Sequence, residues 1–123
     1  MKVLLLEDNL GVANIIKGCL EGWGNSTLHL RTGQAAWKSL NEVEVDLLIV
    51  DWKLPDLLGT ELVRKVRGSA RHRGLAILMI SGQAGREEMI AAITVGINGF
   101  LAKPFTPLQL KEKIDEVWKT ARK

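Results

Sequence analysis

Only one cysteine, Cys19, occurs among the 123 residues, so no disulfide can form within the chain. Its place on an apolar helix face makes it a small hydrophobe rather than a reactive thiol. No apolar run approaches the ~20 residues that a membrane-spanning helix needs. Met1-Lys2 leads through four apolar residues straight into acids, too short and wrongly flanked for a signal peptide. A soluble, cytoplasmic protein with no membrane partner is therefore expected. Neither G-x-x-x-x-G-K-[ST] nor G-x-G-x-x-G occurs, and where a phosphate-cradling loop would follow the first strand stands Glu7-Asp8-Asn9, which repels phosphate. That argues against a flavin, nicotinamide or resident nucleotide. Repeats, low-complexity tracts and linkers are also missing, so residues 1–123 read as one domain.

Hydrophobic residues at 46% and charged residues at 25% are those of a globular protein. The formal net charge of +3 raises the question of nucleic acid, and the densest basic cluster is Arg64, Lys65, Arg67, Arg71, His72 and Arg73. No aromatic is interleaved with these bases and no DNA-reading motif is present, so the cluster reads as a solvated helix end and nucleic acid is not expected as a partner.

Short apolar runs alternate with amphipathic stretches. Residues 3–7 form a continuous apolar run with an acidic end, as in a parallel strand covered on both faces. Val12, Ile15, Ile16, Cys19, Leu20 and Trp23 recur at three- and four-residue spacing, which predicts one helix face. Residues 27–31 alternate as an edge strand does, and residues 33–43 form a weaker helix. Residues 45–51 are the most apolar run and the best central strand. A helix over 59–66, a strand over 76–81, a helix over 86–95 and a short strand over 100–103 follow. Thr106, Pro107 and Gln109 then spell a capping box for a last helix with Leu110, Ile114, Val117 and Trp118 inward. This alternation predicts a doubly wound α/β domain with a five-stranded parallel sheet and helices on both faces. Ligands of such sheets bind outside the carboxyl ends of the strands.

Those ends supply Glu7 and Asp8, Asp51, Ser81 and Lys103. Three carboxylates on one rim repel one another and raise each other's pKa unless a cation joins them, and oxygen ligands suit a hard divalent ion such as Mg2+. A transient phosphate, bonded to a carboxylate and neutralised by the ion and an amine, fits this set. His29 and His72 are isolated and resemble neither phosphohistidines nor metal ligands. The D-x-D pattern of aspartate-based phosphatases is absent, because Lys53 holds the second acidic place.

These residues, with Asp51-Trp52-Lys53-Leu54-Pro55-Asp56 ending at Gly59 and Gly96-Ile97-Asn98-Gly99-Phe100-Leu101-Ala102-Lys103-Pro104-Phe105, make the whole chain resemble a receiver domain of the two-component response regulators, similar to the single-domain chemotaxis type. The resemblance implies a flavodoxin-like sheet of order 2-1-3-4-5 and phosphoryl transfer to Asp51 from a sensor histidine kinase or phosphotransfer protein. It implies Mg2+ (or Mn2+) on Glu7, Asp8, Asp51 and the backbone carbonyl of Lys53. Glutamate at position 7 departs from the family's more usual aspartate. Lys103 would neutralise the phosphoryl group, Ser81 would hydrogen-bond it, and Phe100 would be the switch aromatic. Lys53 and Gln83 would tune the lifetime of the acyl phosphate. A cis Lys103-Pro104 bond is expected on the same ground. So is a switching surface of the fourth helix, fifth strand and fifth helix, which could also support a homodimer. Such a protein catalyses its own phosphorylation and dephosphorylation without being a metabolic enzyme. With no effector segment after the last helix, it is expected to be a stand-alone receiver or a domain of a longer chain. The competing expectation, a phosphorylation-independent binding module on the same fold, is disfavoured by the intact acidic set and Lys103.

Overall fold

The computed structural model describes residues 1–82 and 85–121. Among these, five strands alternate with five helices: β1 (Lys2–Leu6), α1 (Leu10–Gly22), β2 (Ser26–Leu30), α2 (Gly33–Glu42), β3 (Leu47–Asp51), α3 (Gly59–Gly68), β4 (Ala76–Ser81), α4 (Arg86–Val95), β5 (Gly99–Ala102) and α5 (Pro107–Ala121). All strand pairs are parallel and the order is β2-β1-β3-β4-β5, as the flavodoxin-like expectation requires. Element limits differ from the sequence reading by no more than two residues at most ends, where apolar pattern and hydrogen bonding diverge.

The continuous apolar runs are explained by two-sided burial. Val3, Leu5, Ile49 and Leu78 face α1 and α5, whereas Leu4, Leu6, Val50 and Met79 face α2, α3 and α4. Each such side chain contributes about 1.5–3 kcal/mol relative to exposure. β2 is only half-buried along most of its length, as suits an edge. Capping follows the local sequence. Asn9 accepts from the Val12 N–H at 3.0 Å and Thr32 from the Ala35 N–H at 3.1 Å. Thr106 and Gln109 close the capping box reciprocally at 2.9 and 3.1 Å. Gly96 ends α4 with φ of 107°, a left-handed conformation that a Cβ would strain.

Two expectations are corrected. Ile15 is 62% exposed, because the inward face of α1 centres on Ala13, Ile16 and Leu20, and the residue before Ile16 is turned about 100° away. Cys19 is half-buried against the same face. The basic cluster is not simply a solvated helix end. Arg67 is half-buried and donates to the carbonyls of Gly96 (2.8 Å), Arg73 (2.8 Å) and Leu75 (2.7 Å) and to Asn98 Oδ1 (2.9 Å). Asn98 Oδ1 also accepts from the Ile77 N–H at 2.8 Å. One guanidinium thus ties the ends of α3 and α4 to the start of β4. His72 is only 8% exposed and meets the Trp37 ring edge-on, with centroids 6.0 Å apart. Burial, and then the neighbouring Arg71 charge, lower its pKa from the ordinary value.

Arg67→Ala leaves several carbonyls without a partner and is expected to lower the unfolding free energy by about 2–4 kcal/mol. Arg67→Lys should recover only part of this, since an ammonium cannot reproduce the planar fork. Urea denaturation reads both, and a loss below about 1 kcal/mol for the alanine variant would show that water replaces the network.

Candidate functional site

β1 and β3 lie side by side at the centre of the sheet, so their carboxyl ends deliver Glu7 and Asp51 to the same rim. The adjacent β4 ends at Ser81, and beyond β5 comes Lys103, whose N–H extends the ladder to the Ser81 carbonyl at 2.8 Å. The Lys103 ammonium donates to Glu7 Oε1 at 2.6 Å and to Asp51 Oδ2 at 3.1 Å. Glu7 is fully buried and Asp51 is 9% exposed. Burial, followed by the neighbouring Asp51 carboxylate, pushes Glu7 up to about 7, with Lys103 offsetting part of the rise. Lys103 is moved the opposite way from what its burial favours, because the two carboxylates stabilise its charge and raise its pKa. The Lys103–Pro104 bond is cis, as expected.

The loop after β3 holds Asp51 by backbone contacts. The Trp52 N–H donates to the Ile80 carbonyl at 2.9 Å, and the Gly59 N–H returns to the Trp52 carbonyl at 2.6 Å. A Cβ at Gly59 would collide with the Asp51 carbonyl oxygen, so only glycine allows α3 to start this close to the rim. The loop's tip is tied to α2, which has no acid in its own first turn. Asp56 supplies one from outside, accepting from the N–H groups of Gly33 (2.8 Å) and Gln34 (2.9 Å). Although burial acts to raise its pKa, these and other backbone N–H groups outweigh it and lower the value.

Of the expected site residues, Glu7, Asp51 and Lys103 form one ion-paired cluster, with buried Ser81 one strand over from Asp51. Asp8 pairs instead with Arg31, its Oδ1 3.3 Å from Nη2. Among the described residues, no three ligating side chains are gathered closely enough to hold a metal ion. Lys103 and Arg31 each pair with part of the expected ligand set. The chemistry still fits a hard cation, since the donors are oxygens and Glu7 Oε2 is buried with no hydrogen-bond partner. Lys53 is exposed, its backbone bridged to Leu58. Phe100 is half-buried opposite Met79 on the α2–α4 side of the sheet. Gln83 lies outside the described residues.

Three features escaped the sequence reading. Arg31 and Asp56 are single charged residues in ordinary loops, and nothing in their spacing signals a partner more than twenty residues away. His29, read as isolated, has Nε2 2.8 Å from the Glu7 carbonyl. That oxygen can only accept, so Nε2 carries the proton and steadies the backbone that bears the buried carboxylate.

Residues 3–115 match the family described as response regulator receiver domain, and the chain belongs to that family. Its relatives include single-domain chemotaxis receivers. It is 39% identical over 119 residues to a chemotaxis protein CheY homolog from Campylobacter jejuni, covering 95% of this chain and 92% of that one. It is 38% identical over 119 residues to chemotaxis protein CheY1 of Helicobacter pylori, covering 95% and 96%. Among solved structures it resembles a CheY-like response regulator receiver domain protein from Methanospirillum hungatei, with a TM-score of 0.90, 26% identity and coverage of 98% and 95%. It also resembles the receiver domain of sensor histidine kinase PA1611 from Pseudomonas aeruginosa, described with a magnesium ion coordinated in the active site cleft, with a TM-score of 0.88, 25% identity and coverage of 96% and 97%. Accepting a phosphoryl group in two-component signalling is the function of this family.

Glu7 gives the protein a pH signature once divalent ions are removed by chelator. Its folded pKa, about 7, exceeds the unfolded value of 4.5, so between these values the folded state holds a proton that the unfolded state has lost. The stability Glu7 contributes is present below pH 4.5 and is lost as pH rises through about 7. Glu7→Gln should therefore gain on the parent protein as pH rises, by at most about 1.4 kcal/mol per pH unit. Denaturation curves of both proteins across this range test it; a difference that does not change with pH would show that Glu7 is ionised throughout.

Proposed function

We infer that this protein is a chemotaxis-type receiver in which Asp51 accepts the phosphoryl group. The observation that carries this reading is the Lys103 ammonium bridging Glu7 and Asp51 at the carboxyl rim. An Asp51 carboxylate oxygen forms the new O–P bond as the P–N bond of a kinase or phosphotransfer-protein phosphohistidine breaks. Mg2+, or Mn2+ in its place, supplies charge for this transfer when bound to Glu7, Asp8, Asp51 and the Lys53 carbonyl. The orphaned Glu7 oxygen and the all-oxygen donor set support that assignment. Lys103 then exchanges a carboxylate partner for the arriving phosphoryl charge, Ser81 donates its hydroxyl to a phosphoryl oxygen, and the Phe100 ring reports the change.

The target is a protein, contacted through the α4–β5–α5 face or through a homodimer on it. Met89, Ile90 and Ile93 of α4 and Leu108 of α5 are exposed apolar side chains that support such a surface. A coupling of about 1–3 kcal/mol between phosphorylation and this face is typical, and a nearly complete switch needs about 5.5 kcal/mol. We place the reaction in the cytoplasm; among the described residues no helix is long and apolar enough to cross a membrane. The exposed Lys53 ammonium, with Gln83, tunes how long the acyl phosphate survives.

Incubation with a small phosphodonor and Mg2+ should give a single phosphoryl adduct by intact mass, absent in Asp51→Asn. Half-buried Trp52, next to the acceptor, should be quenched by Mg2+ and then by a phosphate mimic. Failure to form the adduct would favour a binding module that works without phosphorylation. Lys53→Ala should change the dephosphorylation rate of the adduct, and an unchanged rate removes Lys53 from the lifetime role.

A further inference from the structure

We propose that Arg31 competes with the divalent cation for Asp8 and thereby sets the metal affinity of this protein. The inference rests on the reading of Glu7, Asp8 and Asp51 as metal ligands. Arg31 directly follows β2, and the parallel register that pairs Leu30 with Leu6 brings it level with the acids that follow β1. Its Nη2 lies 3.3 Å from Asp8 Oδ1, and the Glu7 N–H donates to the Leu30 carbonyl at 3.2 Å, which fixes the two backbones beside each other. Lys103 serves only the other two carboxylates, so among the described residues Arg31 is the cation paired with Asp8.

A guanidinium and a hard divalent ion draw on the same carboxylate charge and lone pairs. The first donates N–H bonds to oxygen lone pairs, and the second coordinates those lone pairs directly. Two cations on the same group also repel. Metal entry at Asp8 therefore either displaces Arg31 or leaves it on the other oxygen beside a second positive charge, and either cost is subtracted from the metal's binding energy. Both side chains are about half exposed, at 54% and 47%, so the competition is modest. An exposed pair of this kind corresponds to about a two- to fivefold change in an equilibrium constant. Arg31 thus acts as a positioning residue for Asp8 rather than a catalytic one.

Calorimetric titration of Mg2+ into the parent protein, Arg31→Ala, Arg31→Lys and Arg64→Ala tests the proposal without any phosphoryl transfer. Arg64 is exposed on α3 and controls for net charge alone. Arg31→Ala should bind Mg2+ about two- to fivefold more tightly, with Arg31→Lys between it and the parent, and the gain should shrink at high ionic strength. Equal or weaker affinity in Arg31→Ala, or the same gain in Arg64→Ala, overturns the inference and leaves the metal reading intact. A parent protein that binds no Mg2+ overturns that reading, and this inference with it.

Discussion

The contact between Lys103 and the two carboxylates Glu7 and Asp51 joins residues 96 and 52 positions apart in the chain, and most of the fold can be understood as what brings them together. A fully buried Glu7 without a cation would carry an uncompensated desolvation cost of several kcal/mol in its charged form. Parallel strands solve the placement. Because every strand runs the same way, all five carboxyl ends open on one rim, and residues that follow different strands become neighbours without any local sequence signal. The apolar layers on both faces keep that rim fixed. Slipping β3 by one residue would exchange Leu48 and Val50 for Ile49 on the α2–α4 face and turn Asp51 away from Lys103.

A second constraint acts on the backbone of Asp51. Asp51 is the last residue of β3, so its side chain could swing if the following loop were loose. It is held from two directions. Gly59 lets the first turn of α3 press against the Asp51 carbonyl, and Asp56 anchors the loop's far side to the N-terminus of α2. The effect reaches the ion pair, because Lys103 approaches from β5 and the two sides of the bridge are set by different elements. Preorganisation here comes from backbone packing and helix ends together with the Lys103 ion pair on the carboxylate itself.

How much of this was legible in the sequence depended on whether the signal was periodic. The two-sided strands, the edge strand and the capping box of α5 were readable, because alternation, burial and caps repeat local rules. The rim residues were readable as strand-end positions, and the family motif supplied their roles. What escaped was fixed by tertiary geometry. Ile15 satisfies a three- and four-residue spacing as well as Ile16 does, and only the position of the sheet decides which one is covered. Arg67 and His72 looked like members of a solvated basic run, yet one is enclosed by carbonyls from two loops and the other packs on Trp37. Asp8 pairs with Arg31, a partner that the β1–β2 register supplies and no local pattern announces.

The cations that quiet the rim also compete for the oxygens that a metal would coordinate. Lys103 and Arg31 between them pair with all three acids, two cations against three carboxylates, so much of the rim's charge is offset without any ion. A divalent cation entering this set must break or share contacts that stabilise the fold. The gains it can draw on are the orphaned Glu7 oxygen and relief of the burial cost and the Asp51 repulsion that raise the Glu7 pKa. A phosphoryl group on Asp51 changes the balance again. It brings about two negative charges, enough to reward both the ion and a Lys103 released from Asp51. Under the proposed function, metal and phosphate would therefore favour each other at this rim for an electrostatic reason, since each supplies the charge that the other's arrival leaves unmatched.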